Sequence, residues 1–154
     1  MCAVRSDAFA AGLLLLTGCS GIAMDVPTPF LRLETPRAEL KATTPDDARL
    51  WVREFEDHDQ GGLAFWAATL QNDLTDNRGY QLVGADDLRD ATGRDGRALH
   101  FEATANGEAW SYLVAVFVRE GTFSHTIRVA EFVARGEVFA KHVAAVRGAL
   151  ATLR

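Results

Sequence analysis

Apolar and polar residues alternate along several segments of the chain, and this alternation is typical of strands with one buried face. In residues 49–56, Leu50 and Val52 fall on one side, whereas Trp51 and Phe55 fall on the other. The same alternation predicts further strands at residues 38–42, 80–85, 86–91, 97–104, 108–119 and 122–133.

Residues 108–119 stand apart because both faces of this predicted strand are apolar. Trp110, Tyr112, Val114, Val116 and Val118 share one face, and Leu113, Ala115 and Phe117 share the other. A strand covered on both sides belongs in the centre of a sheet. Asn106–Gly107 predicts a type I′ hairpin turn before it, because both residues tolerate positive φ. In the strand that follows, Phe123, Ile127 and Val129 are predicted to share a face.

Two segments have the spacing of an apolar helical face. The first is residues 63–75, with Gly79 as a C-terminal cap. The second opens at Gly136 and closes the chain. The apolar stripe of the first segment consists of Leu63, Trp66, Ala67, Leu70 and Leu74. The stripe of the second consists of Phe139, Val143, Val146, Leu150 and Leu153. Together these elements predict an α+β fold, an α/β/α-type sandwich with a mainly antiparallel sheet and helices packed on it, including a C-terminal helix.

The first residues have the anatomy of an export signal. Arg5 precedes an apolar run of nine residues, 8–16, which is too short to span a bilayer. Leu16-Thr17-Gly18-Cys19 follows and resembles the lipobox of bacterial lipoproteins. This resemblance implies that residues 1–18 are a signal peptide, that Leu16, Thr17 and Gly18 are recognised by the signal peptidase, and that Cys19 carries lipid.

The residues after Cys19 are predicted to join the lipid to a single folded domain. By the same resemblance, Ser20 implies sorting to the outer membrane, with the protein facing the periplasm. Residues 19–36 contain Pro27, Pro29 and Pro36 and are predicted to be a lipidated tether, although Phe30, Leu31 and Leu33 could open the first packed element. The domain proper is predicted at residues 37–154.

The order of elements resembles the PsbP/Mog1-like group, which includes many small bacterial lipoproteins. The residues that carry the resemblance are Phe65-Trp66 through Leu70, Arg78-Gly79-Tyr80, Tyr112-Leu113-Val114 and the closing helix from Phe139. It covers residues 31–154 and consists of core and turn positions. It implies a fold and a protein that binds partners or assists assembly without an active site, and it assigns no individual site residue.

Composition and charge exclude several classes of function. The chain carries 16 basic and 21 acidic residues, a net charge of −5, and has no basic run, so it is a poor ligand for nucleic acid. Of its two cysteines, Cys2 would be removed with the signal peptide and Cys19 would be blocked by lipid. The mature domain would then have no disulfide, thiol nucleophile or cysteine-ligated metal.

The four histidines, His58, His100, His125 and His142, form no HExxH, HxH or HxxxH pair. His58 lies among Glu56, Asp57 and Asp59, which could hold a cation; we favour a solvated acidic loop. His100 and His125 could lie on neighbouring strands and form a metal-binding or pH-sensitive pair; we favour two half-buried histidines with local hydrogen bonds. No metal site is therefore predicted.

The sequence contains no catalytic or cofactor motif. Ser111, Ser124 and Thr126 lack a G-x-S-x-G context, and the glycines match neither phosphate-binding pattern. No cofactor is predicted. A hydrolase that uses His100 or His125 remains an alternative, provided that one of them lies in a cleft beside a nucleophile.

Four aromatic residues, Trp51, Trp66, Trp110 and Tyr112, are the remaining candidates for a partner or ligand surface. At strand and helix spacing core packing is the default, and of the five Trp and Tyr residues, Tyr80 included, we expect three in the core. Trp51 is the best surface candidate, because its strand comes early and could lie at the sheet edge. The sequence predicts a non-enzymatic module that binds an envelope protein. The alternative is a carrier of a small molecule or lipid, with a pocket between sheet and helices lined by Trp66, Trp110 and Tyr112.

Overall fold

The computed structural model describes residues 21–154. The predicted signal peptide, its lipobox, Cys19 and Ser20 lie outside the described residues. The elements, in chain order, are β1 (Leu31–Leu33), β2 (Glu39–Thr43), β3 (Arg49–Asp57), α1 (Leu63–Asn72) with a π-helical continuation (Asp73–Asn77), β4 (Gln81–Arg89), β5 (Asp95–Ala105), β6 (Glu108–Arg119), β7 (His125–Arg135) and α2 (Gly136–Leu150).

The strands form one seven-stranded sheet in the order β1-β2-β3-β7-β6-β5-β4, and every neighbouring pair is antiparallel. Asn106 and Gly107 have φ values of 53° and 78°, as the predicted hairpin between β5 and β6 requires. The α+β sandwich with a C-terminal helix is thus confirmed.

Each face of the sheet has its own apolar core, because alternate residues of each strand point to opposite sides. On the face covered by α2, Leu113, Ala115 and Phe117 of β6 pack with Phe139 and other residues of that helix. On the face covered by α1, Val114, Val116 and Val118 pack with Leu74 and the apolar side of α1. The prediction that β6 is central and covered on both sides is confirmed.

Helix α1 covers only part of its face, because it packs over β5 and β6. The α1-side surface of β1, β2 and the first half of β3 is left open. We call this surface the open face, and it positions the candidate site described below.

The predicted tether is wrong for residues 21–36, which are packed against the domain. Ile22, Met24 and Phe30 are buried in the α2-side core. The backbones of Ala23 and Arg154 exchange two hydrogen bonds, of 3.2 and 2.9 Å. The three prolines interrupt regular structure but leave these apolar side chains free to fill the space beside α2. The folded domain therefore begins before residue 37.

Other predicted boundaries shift for local reasons. The two strands expected at 80–85 and 86–91 are one strand, β4, with a bulge between Leu82 and Gly84 that disturbs the alternation. The predicted helix at 63–75 continues to Asn77 through the π-helical turn. Phe123 lies before β7 and is 88% exposed, so it does not share a face with Ile127 as predicted.

Candidate binding groove

A groove of about 480 Å³ runs along the open face. Residues of β1, β2, β3, β7 and β6 form its walls, and most of its surface is apolar. The side chains on the open face are Leu33, Lys41, Thr43, Arg49, Trp51, Tyr112, Glu131 and Val133; Ala42 and Leu50 also border the groove but have their side chains in the α2-side core. A concave apolar surface with a few polar groups is the usual form of a ligand or peptide site.

Trp51 lies at the centre of the groove. In the sheet register it is opposite Lys41 of β2 on one side and Glu131 of β7 on the other. The Lys41 ammonium is 4.6 Å and the Arg53 guanidinium 4.7 Å from the centre of the Trp51 ring. Each contact of this kind at a partly exposed site contributes about 0.5–1 kcal/mol and favours the observed orientation of the indole. Within residues 21–154 the buried indole nitrogen has no hydrogen-bond partner.

Tyr112, Glu131 and Arg53 form a polar network beside Trp51. The Tyr112 hydroxyl donates a hydrogen bond to Glu131, and the Arg53 guanidinium is 3.3 Å from the other oxygen of that carboxylate. Burial raises the pKa of the Tyr112 phenol well above its usual range, and the negative charge of Glu131 raises it further. Tyr112 is therefore a protonated donor at all physiological pH values.

Positive and negative charges are balanced around the groove. Lys41 lies 3.2 Å from Glu39, and Arg49 lies 3.0 Å from Asp47. With Arg53 paired to Glu131, each cation of the groove has an acidic neighbour. The groove consequently offers apolar contact and aromatic surface, without the excess positive charge of an anion site.

Of the four predicted surface aromatics, only Trp51 and Tyr112 meet in the groove. Trp66 lies in α1, where its indole nitrogen donates to Asp57 over 3.0 Å and its ring packs against Phe55. Trp110 lies near the start of β6 with the Arg135 guanidinium 5.8 Å from its ring centre. The groove therefore differs from the predicted pocket of Trp66, Trp110 and Tyr112 between sheet and helices: it shares only Tyr112 with that pocket and lies outside both sheet–helix interfaces.

The proposed pairing of His100 with His125 is also wrong. They lie on β5 and β7, which are separated by β6, and they face opposite sides of the sheet. His100 stacks on Phe139 of α2 with 4.8 Å between ring centres, whereas His125 contacts the Gly61 carbonyl over 3.1 Å beside α1. Burial lowers the pKa of His100, although Glu102 partly offsets this effect. Within residues 21–154 neither histidine hydrogen-bonds a serine or threonine hydroxyl.

His58 is exposed, with its ring 3.9 Å from Glu56. The Asp57 carboxylate instead accepts hydrogen bonds from the Gly61 amide and Trp66, at 2.8 and 3.0 Å. In the described part of the chain, no group of three or more His, Cys, Asp or Glu residues is arranged to hold a metal ion.

His142 received no role from the sequence, yet it is buried in α2 and contacts the Asp46 carboxylate over 3.1 Å. Asp46 also accepts hydrogen bonds from Lys141 and Thr44, at 2.6 and 2.5 Å. These donors, Lys141 first, hold the pKa of Asp46 well below its usual range. The cluster fastens the β2–β3 turn to α2 and so supports the strands that carry the groove.

The sequence indicated Trp51 but not Lys41, Arg53 and Glu131, which surround it. Lys41 and Glu131 are distant from Trp51 in the chain, and only the sheet register places them on either side of its indole. Alternation did indicate that Trp51 and Arg53 share a face, which was the one available signal.

The comparisons with known proteins identify the fold. LpqN of Mycobacterium tuberculosis, described as involved in cell envelope biogenesis, superposes with a TM-score of 0.65 and 16% identity over 86% of this chain and 82% of LpqN. PA94 of Pseudomonas aeruginosa, a protein of unknown function described as a putative regulator, gives a TM-score of 0.55 and 18% identity over 87% and 96% of the two chains. The Saccharomyces cerevisiae Ran-binding protein Mog1p gives 0.53 and 16% over 84% and 80%.

No protein-family model matches the chain, and no curated protein matches it in sequence. The structural similarities, all below one-fifth identity, establish the predicted PsbP/Mog1-like fold alone. Across residues 21–154 there is no helix with the length and apolar character needed to cross a membrane.

Proposed function

We propose that this chain is a lipid-anchored protein of the cell envelope that binds a partner protein through the groove and catalyses no reaction. The observation that carries this proposal is the open, largely apolar groove around Trp51. The lipobox supports export and anchoring through Cys19, with Ser20 favouring the outer membrane. LpqN, which has the same fold, is described as involved in cell envelope biogenesis, and this agrees with a role in the envelope.

The properties of Trp51 suit an anchor residue of a protein interface. Binding energy at interfaces is concentrated in a few Trp, Tyr and Arg residues held in well-packed settings. Lys41 and Arg53 already favour the observed orientation of the indole, so less side-chain freedom is lost when a partner covers it. The partner would also shield Tyr112 and Val133, which share the groove.

The position of the groove agrees with a membrane anchor at residue 19. The first described residues run beside the C-terminus, where Ala23 and Arg154 are paired. Leu153 in turn bonds Ala91, next to the β4–β5 turn. The groove lies toward the opposite end of the strands, near Thr43 and Arg49. A partner could therefore approach it from the side away from the membrane.

Crosslinking in native envelopes tests this proposal. A photoreactive amino acid replaces Thr43 in the groove of the full-length protein, and a matched control replaces Ala140, which is exposed on α2. We expect one protein to be captured from Thr43 and not from Ala140, and we expect Trp51→Ala to abolish capture while circular dichroism shows a folded chain. Equal capture at both positions would contradict the proposal.

The anchor is tested separately by mass spectrometry of Cys19. We expect an acylated N-terminal cysteine, and Cys19→Ala should release the protein from the membrane fraction. A Cys19→Ala variant that stays with membranes would contradict lipid anchoring.

A second candidate function is a carrier of a small molecule or lipid, which the apolar groove of about 480 Å³ favours. Native mass spectrometry of protein purified from envelopes separates the two functions. A stoichiometric bound molecule that is lost in Trp51→Ala would favour the carrier.

A further inference from the structure

The outer edge of the sheet beside the groove is formed by β1, a strand of three residues. In the sheet order β1 has a neighbour on one side only, β2. Leu31 and Leu33 are 65% and 48% exposed and lie in register with Thr43 and Lys41, so both are on the groove side. An unpaired strand edge offers backbone donors and acceptors to another extended chain.

Two contacts hold β1 in place before anything binds. Phe30, directly before the strand, is buried and packs edge-on against Phe132 and His142, with ring centres 6.1 and 5.5 Å apart. After the strand, the Thr35 hydroxyl donates to the Glu39 carbonyl over 2.8 Å. A pre-ordered edge costs less conformational entropy on binding than a flexible one.

Arg32 lies between the two leucines and faces the other side of the strand. Its side chain is exposed, and within residues 21–154 it has no salt-bridge partner. Together with Leu33, Glu34 and Thr35 it borders an open depression of about 510 Å³ at the end of β1. Side chains of an added strand would alternate between the Arg32 side of the edge and the groove side, because successive residues of a strand point to opposite faces.

A second copy of this chain could meet β1 in two symmetric antiparallel registers, and the test below separates it from a partner segment. A pair centred on Arg32 would place the two arginines directly opposite each other, and like charges opposite each other destabilise a strand pair, whereas a pair centred on Leu33 would place Arg32 opposite Glu34. The charge of Arg32 favours a strand with a carboxylate opposite it.

We propose that β1 accepts an extended segment of the partner protein as an eighth strand, with an acidic side chain opposite Arg32 and apolar side chains on either side of it that lie against Leu31, Leu33 and the mouth of the groove. This inference rests on the proposed function and specifies the partner's binding segment. Strand addition derives affinity from main-chain hydrogen bonds and specificity from the alternating side chains.

The test uses the full-length protein in detergent and two capped, fluorescein-labelled peptides, Ser-Thr-Ile-Asp-Ile-Thr-Ser and the same sequence with Lys in place of Asp. We expect saturable binding of the acidic peptide by fluorescence anisotropy and about fivefold weaker binding of the basic one, the effect of one cross-strand charge pair. Arg32→Glu should reverse this preference, and added salt should reduce the difference. Arg78→Glu, a charge reversal at an exposed arginine after α1, is the matched control and should leave the preference unchanged.

Main-chain pairing is tested without altering the protein. Methylation of the peptide nitrogens that face β1 should abolish binding, whereas methylation of the alternate nitrogens should not. The absence of saturable binding up to about 1 mM, equal affinity of Arg32→Glu for both peptides, or binding indifferent to the position of N-methylation would each overturn the inference. So would a dimer in analytical ultracentrifugation that Arg32→Glu weakens, because that result would identify a second copy paired through Arg32 and Glu34 as the occupant.

The peptide test and the crosslinking test can fail independently. If Thr43 captures a partner in envelopes but the peptides do not bind, the groove binds protein in another way and only the strand inference is lost. If Thr43 captures no protein and a bound lipid is found, the proposed function itself is wrong.

Discussion

The indole nitrogen of Trp66 in α1 donates a hydrogen bond to the carboxylate of Asp57 at the end of β3, over 3.0 Å. The same carboxylate accepts the amides of Asp59 and Gly61, so it organises the whole connection between strand and helix. Burial would raise the pKa of Asp57, but the donors, led by the Gly61 amide, lower it. Trp66 therefore has a structural role, because it joins α1 to the end of β3.

Asp57→Ala should lower the melting temperature, because three donors at the start of α1 lose their acceptor. Hydrogen exchange of the Gly61 amide should accelerate in the same variant. Thermal unfolding by circular dichroism at pH 7 measures the first effect, with His58→Ala, at the adjacent exposed position, as the control. Equal melting temperatures for the two variants would show that Asp57 does not organise this connection.

Two glycines should respond in opposite directions to the same substitution. A Cβ atom at Gly96 would lie 2.4 Å from the buried ring of Phe117, so Gly96→Ala should lower the free energy of unfolding by about 1–3 kcal/mol. Gly148 lies inside α2 with open space around it, and Gly148→Ala should raise stability by about 0.5–1 kcal/mol. Urea unfolding of both variants measures the two changes in the free energy of unfolding. A Gly96→Ala variant more stable than the wild-type protein would refute the close contact with Phe117.

His100 should make stability depend on pH. Burial lowers its pKa in the folded state, whereas the unfolded chain has the ordinary value of about 6.5. As pH falls below about 6.5, the unfolded state gains a proton that the folded state resists, so this contribution is fully present above that pH and is lost progressively below it. The groups that face His100 are Glu102, Asp86 and Arg147.

His100→Phe should retain the stacking on Phe139 and flatten the fall in stability between pH 7 and pH 5. Urea unfolding of the variant and of the wild-type protein across this range measures the change. An unchanged slope in His100→Phe would show that His100 is protonated equally in both states.

Residues 21–30 should be needed for folding. Ile22→Ala removes a side chain that is only 5% exposed and should lower the free energy of unfolding by about 2–5 kcal/mol. Leu31→Ala, at a position 65% exposed, is the matched control and should cost less than about 0.5 kcal/mol. If a chain shortened to residues 37–154 unfolded with the same midpoint as the full domain, the packing of this segment would have no energetic weight.

The sequence predicted most of the sheet because strand alternation is a local property. The two faces of β6 follow from residues 108–119 alone: Leu113, Ala115 and Phe117 lie in one core and Val114, Val116 and Val118 in the other, whereas Trp110 lies outside both. Ile22 and Met24 were missed because two apolar residues among prolines have no period, and their burial depends on the distant helix α2.

The candidate site was predicted less well than the fold because it depends on non-local geometry. Trp51 could be assigned to a face, but the groove exists only because α1 lies over β5 and β6 and leaves the open face uncovered. A pair of His100 and His125, the alternative to two separate histidines, requires neighbouring strands, and the position of β6 between β5 and β7 cannot be derived from either strand alone.

The pairing of Ala23 with Arg154 means that the chain enters and leaves the domain at the same place. An affinity tag or fluorescent protein fused after Arg154 would consequently sit beside Ala23, next to the lipid anchor proposed at Cys19. The Asn106–Gly107 hairpin is at the other end of β5, which is about 35 Å long by its 11 residues. A reporter inserted in that hairpin would lie at the far end of the sheet, and a pulling force applied between the hairpin and Ala23 would load the sheet along its strands.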